Sequence, residues 1–170
     1  LGPCYDNQPS TLPVGSAYIS QTVYVPAPPD VVAPKLHFWY RILTYDVVWS
    51  ERYQRYYDSF DVEIAAGGPA QLLLRDGNYD PLKVGAGKPV VDLGWKEGVI
   101  DLSPYAGQTV TLYFRNSNRV DNYFNTWTYL DDISITDSVT GYRVRVPLVA
   151  RALAGTATGQ TLMQAAGGPR

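Results

Sequence analysis

Two-residue alternation with no competing helical period narrows most what this chain can become. FDVEIA at 60–65 sets Phe60, Val62 and Ile64 on one side of an extended chain and Asp61 and Glu63 on the other, the pattern of a half-buried strand. SAYISQTVYVP at 16–26 alternates in the same way, and KLHFWYRILTY at 35–45 is apolar almost throughout, which places it in the middle of a sheet. After AGGP the chain returns as QLLLR (71–75), a hairpin partner for 60–65, and WKEGVIDL (95–102) and TVTLYFRN (109–116) add further strands. No segment of ten or more residues holds a helical period. The expected fold is all-β, a two-sheet antiparallel β-sandwich of roughly eight or more strands.

Composition sets the limits of function. With 170 residues the chain suits one domain, and 45% hydrophobic against 18% charged residues is a globular balance. A net charge of -2 gives no electrostatic reason to expect nucleic acid or an anionic membrane, and no apolar run reaches the length of a membrane span. The N-terminal LGPCYDNQPS shows neither the basic start nor the apolar stretch of a signal peptide. Cys4 and His37 are the only residues of their kinds, which leaves no zinc spacing and little room for histidine-based catalysis. The expectation is a chain that is not an enzyme. Fourteen tyrosines and four tryptophans among fifteen glycines and thirteen prolines are the make-up of sandwiches and jelly rolls that present aromatic surfaces.

The character changes after Asp137. Residues 1–137 read as the sandwich domain, and 138–170 as a C-terminal extension with one strand, YRVRVPL at 142–148, followed by a small-residue tail. In that strand Tyr142, Val144, Val146 and Leu148 share one face, and Pro147 removes a backbone donor, which confines it to an edge or an end.

Five phrases, GSAYISQTVYVP, LHFWYRI, YDSFDVEI, VIDLSPYAGQTVTLYFRN and NTWTYLDDISI, resemble in that order the MAM-like and galactose-binding-like jelly rolls of bacterial secreted and cell-surface proteins. The resemblance covers about seven-tenths of the chain. It implies an extracellular module of two packed antiparallel sheets, with no catalytic residues and often with a structural calcium ion. Members usually carry one or two strands before the GSAYISQTV-like segment, and here a strand is spare at the other end. That combination raises strand donation: Tyr142, Val144, Val146 and Leu148 of one subunit would fill the vacancy in the next, and copies of the chain would polymerise head to tail into a filament. The same strand closing its own sheet in cis is the alternative.

Two further expectations concern side chains. In NTWTYLDDISI, strict alternation places Trp127, Tyr129, Asp131, Ile133 and Ile135 on one face, which turns Asp131 toward the core with the isoleucines. A buried carboxylate needs compensation. In the jelly roll that the resemblance implies, the strand ends bearing Asp46, Asp58, Asp61, Asp131 and Asp132 come together as oxygen ligands for calcium. Backbone N–H groups, tyrosine hydroxyls, or Arg41 or Arg115 are the alternative partners of Asp131. The segment from Asp46 to Ser59 reads as an aromatic loop. Its Trp49, Tyr53, Tyr56 and Tyr57, with Trp127, form a candidate platform for stacking on polysaccharide, the alternative being cross-strand packing. A carbohydrate-binding or adhesion module is thus the second functional reading beside the filament subunit.

Overall fold

A computed structural model describes residues 15–84, 88–119, 125–147 and 149–151. The strands are β1 (Gly15–Tyr24), β2 (Lys35–Thr44), β3 (Trp49–Ser50), β4 (Arg55–Tyr56), β5 (Asp58–Ala65), β6 (Gln71–Asp76), β7 (Val91–Asp101), β8 (Thr109–Asn118), β9 (Thr126–Asp137), β10 (Tyr142–Arg145) and β11 (Val149–Arg151). They form one sheet in the order β11-β1-β8-β5-β6, a second in the order β10-β9-β2-β7, and a small ribbon of β3 and β4. Every pairing is antiparallel. The protein is an all-β sandwich, and among the described residues no helix is long and apolar enough to cross a membrane.

The alternation in the sequence explains which faces meet. Phe60, Val62 and Ile64 of β5 pack with Leu112 and Phe114 of β8 against Leu36, Phe38, Tyr40 and Ile42 of β2. Four rings lock the two sheets: Phe38 meets Phe114 edge-on at 5.3 Å between centroids, and Tyr40 stacks on Phe60 at 5.0 Å. Tyr40 lies deep enough that its hydroxyl needs a partner, and it donates to Asp76 Oδ2 at 2.8 Å. The apolar run at 35–45 is indeed interior, since β2 lies between β9 and β7. Gly98 of β7 stands opposite Phe38, and a Cβ there would come within 2.1 Å of the ring. The ring fills the space that a side chain would need.

Strand β9 departs from strict alternation. Trp39 pairs with Asp131, but His37 pairs with Ser134, so a bulge lies between. Asp132 adopts a left-handed φ of 48° there, and the Asp131 carboxylate accepts the Asp132 N–H at 2.8 Å. The extra residue reverses the phase of the strand. Ile133 and Ile135 enter the core, whereas Asp131 stays with Tyr129 on the exposed side. Asp131 is therefore not a buried carboxylate, and it needs neither metal nor arginine.

Asp61 is a buried carboxylate, its side chain 1% exposed. It points away from the core, where Arg75 of β6 grips both oxygens at 2.9 and 2.8 Å. Arg119, just past β8, adds a contact at 2.6 Å, and Ser59 donates at 2.8 Å. Burial pushes this carboxyl up, but the Arg75 and Ser59 hydrogen bonds and the Arg119 charge outweigh it and hold the pKa below the ordinary value. Asp137 is a second such group: burial raises it, yet the Val32, Val139 and Ala33 N–H groups and the Thr140 hydroxyl bring it down to about 2.

The C-terminal strands belong to both sheets. After a turn at Gly141 (φ 75°), β10 pairs along β9. The ladder continues to Val146, whose N–H donates to Ile133 O at 2.9 Å and whose side chain joins the core. The backbone then crosses over, and β11 pairs with β1 at Tyr18, Ile19 and Ser20. Tyr142 packs on the core, Val144 is 43% exposed, and Leu148 lies outside the described residues.

Two stability measurements check this account. Gly98→Ala should lower stability by about 1–3 kcal/mol, read as a lower midpoint in urea. Asp61→Asn leaves two guanidiniums against an uncharged partner and should cost about 3–5 kcal/mol. Because the folded pKa of Asp61 is depressed, its contribution is complete above the unfolded value of about 3.9 and is lost as pH falls through the folded value. The wild-type acid limb should thus begin near pH 4, and the Asn variant should show a shallower one.

Candidate functional site

The outer face of the four-stranded sheet is assembled by register. Trp95, Arg41 and Tyr129 stand side by side on β7, β2 and β9, and the next row holds Glu97, Trp39 and Asp131. Opposed residues share a face, so these rows form one surface. Its large rings are open to solvent: Trp39 is 41% exposed, Trp95 48% and Tyr129 50%. Among the described residues none of the three stacks on another ring or lies under a guanidinium. Trp95 and Tyr129 are two strand spacings apart, roughly 10 Å. Between them Arg41 forms a fork with Asp92, donating from Nε to Oδ1 at 3.0 Å and from a terminal nitrogen to Oδ2. The Arg41 hydrogen bonds and the Gly94 N–H bring Asp92 down to about 2.

Beyond Trp39 the face deepens into a pocket of about 310 Å³. The next row of the sheet holds Val99, His37 and Ser134, of which His37 and Ser134 line the pocket. His37 Nδ1 lies 3.3 Å from Glu97 Oε1, and Arg143 donates to Asp132 Oδ2 at 3.0 Å. Ser134 is fully buried, and its hydroxyl has no hydrogen-bond partner among the described residues. Chemically, the face combines open π-surfaces with donors and acceptors on rigid strands, an arrangement suited to an amphipathic ring-shaped ligand.

The five aspartates of the calcium reading fall in three places. Asp46 and Asp58 are both buried, and Asp58 N donates to Val47 O at 3.1 Å, so they adjoin. Around that end of the sandwich lie Thr44, Asn116, Asn118, Asn125, Thr126 and Thr128, all buried. Asn116 donates to Thr126 O at 2.7 Å and accepts from Thr128 Oγ at 3.0 Å. Oxygen donors of this kind suit calcium. Asp61, however, is committed to two guanidiniums, and Asp131 and Asp132 sit on the exposed face of the other sheet. Among the described residues no three His, Cys, Asp or Glu side chains gather as a metal site.

The aromatic loop is the β3–β4 ribbon, and arginines occupy its rings. Trp49 meets Tyr56 edge-on at 4.7 Å, and Arg75 lies 4.8 Å from the centre of Tyr56. Arg52 and Arg55 lie over Tyr53 at 5.2 and 5.4 Å. Tyr57 is buried, and its hydroxyl accepts from Arg55 at 3.2 and 3.0 Å, so it has no open face for a sugar. Trp127 is half-buried beside Tyr45.

Trp39, Trp95 and Tyr129 were not singled out by the sequence reading. For Trp95 a signal exists: in WKEGVID it shares a parity with Glu97 and Asp101, which marks that side as outward. Trp39 carries the same kind of signal, since in KLHFWYR it shares a parity with Lys35, His37 and Arg41. Cys4 and the tail from Ala152 lie outside the described residues. No protein-family model matches the chain, and no curated protein matches it.

Proposed function

We propose that this chain is a non-catalytic carbohydrate-binding module of a secreted or cell-surface protein, with the outer face of the four-stranded sheet as its binding surface. The observation that carries the reading is the set of three open rings, Trp39, Trp95 and Tyr129, on adjacent strands with no ring or guanidinium of the described residues against them. An exposed indole or phenol ring is costly to leave bare and offers a flat apolar face. A pyranose ring presents a matching face of C–H groups and a rim of hydroxyls. Glu97, Asp131, His37 and Arg143 border the rings and supply the polar contacts.

The filament subunit is the other reading, and the C-terminal segment bears on it. Both β10 and β11 are paired within their own chain. Donation to a neighbour would require residues 142–151 to leave both sheets and re-form the same ladders elsewhere. The intramolecular pairing therefore favours the binding module.

Trp39→Ala and Trp95→Ala should each weaken retention on insoluble polysaccharide about tenfold, with melting temperature little changed because the rings are exposed. Trp49→Ala serves as the contrast and should keep binding, since its ring packs on Tyr56. A wild-type protein retained by none of a broad polysaccharide panel would sink the proposal. Sedimentation and electron microscopy of the full chain at micromolar concentration in calcium buffer should show single subunits. Regular filaments would make strand donation the leading account instead.

A further inference from the structure

We infer that the pocket beside Trp39 is the subsite that seats one uncharged sugar ring, and that it selects neutral polysaccharides over those bearing carboxylate or sulfate. The inference rests on the binding-face reading above and names the ligand class of that face.

Three observations lead to it. First, a pocket of about 310 Å³ is at the small end for ligand sites and suits one ring, with Trp39 as a wall shared with the open aromatic face. Second, Ser134 lines this pocket from a fully buried position with an unpartnered hydroxyl. Ser134 stands opposite His37, so both side chains face outward into the same space. A buried polar group without a partner is unfavourable, and a ligand hydroxyl that reaches it removes that deficit.

Third, carboxylates outnumber the fixed cation of the lining. The one guanidinium among the lining residues, Arg143, faces Asp132, and the His37 ring lies against Glu97. Two further cations border it, Lys35 beside Thr136 and Arg145 beside Ser134, as do two further carboxylates, Asp101 opposite Lys35 and Asp131 opposite Trp39. An incoming carboxylate or sulfate would meet carboxylates at short range and find the guanidinium of Arg143 engaged. A vicinal diol instead donates to Glu97 or Asp132 and accepts from Arg143, which leaves both ion pairs intact. Rejection of anions thus follows from carboxylates fixed against the Arg143 guanidinium and the His37 ring.

The test is affinity electrophoresis of the full chain through gels containing soluble neutral polymers (xyloglucan, galactomannan, xylan) or acidic ones (alginate, polygalacturonate). Wild type should be retarded by at least one neutral polymer and not by the acidic ones. Ser134→Ala should weaken that retardation about tenfold, while its melting temperature stays level or rises, because a buried hydroxyl without a partner has been removed. Arg143→Gln, at an exposed position, should weaken it comparably and guards against a folding defect in the first variant. Unchanged retardation in both variants would overturn the pocket while leaving the aromatic face in place, provided that Trp95→Ala still weakens binding. Stronger retardation by the acidic polymers would overturn the selectivity. Absence of retardation in every gel would overturn the pocket and the binding-face reading together.

Discussion

A carboxylate held on the outward side of a sheet by two guanidiniums is the interaction on which much of this molecule depends. Asp61 alternates out of the core with Glu63, where solvent would ordinarily meet it, yet it is nearly inaccessible. Arg75 ties it to β6 and Arg119 ties it to the end of β8, so one anion joins three parts of the five-stranded sheet. Arg75 then carries Tyr56 on its other face, and Arg119 also donates to Tyr57 O at 3.1 Å. The β3–β4 ribbon is thereby anchored through the same charge cluster. A carboxylate at this depth is tolerated only because every side of it is occupied by a donor.

The bulge in β9 has the corresponding importance for the other sheet. A single strand there performs two tasks in sequence. Trp127 and Tyr129 look outward before Asp131, and Ile133 and Ile135 look inward after it. Without the added residue the isoleucines would share the outward face with Tyr129, and Ser134 would not stand opposite His37. The bulge is what places the pocket at the end of the aromatic rows.

Much of the fold was legible because strand phase is a local property. Phe60, Val62 and Ile64, or the apolar run around Phe38, declare their faces within a few residues. Asp131 misled because its orientation depends on a left-handed backbone at Asp132, which local alternation does not encode. Adjacent aspartates in mid-strand are the available hint, since Asp is a poor strand former and tolerates that conformation. The aromatic loop misled for another reason. Its tyrosines are interleaved with Arg52 and Arg55, and those cations take the faces that a sugar would use. Ser134 was invisible, because an unpartnered hydroxyl is a fact about neighbours brought together from three strands.

The path of the C-terminal segment also imposes an order on biosynthesis. Among the described residues, the free margins of β1 and β9 are covered only by β11 and β10. Every other strand of both sheets is made earlier. While residues 142–151 are still within the ribosome, a nascent chain can pair β2 with β7 and β9, and β8 with β1 and β5, but two hydrogen-bonding margins stay exposed. The last ladders to form replace the long open margins of β1 and β9 with the short ones of β11 and β10, so the final ten residues of the fold trade two broad templates for neighbours against two that offer only three or four residues each.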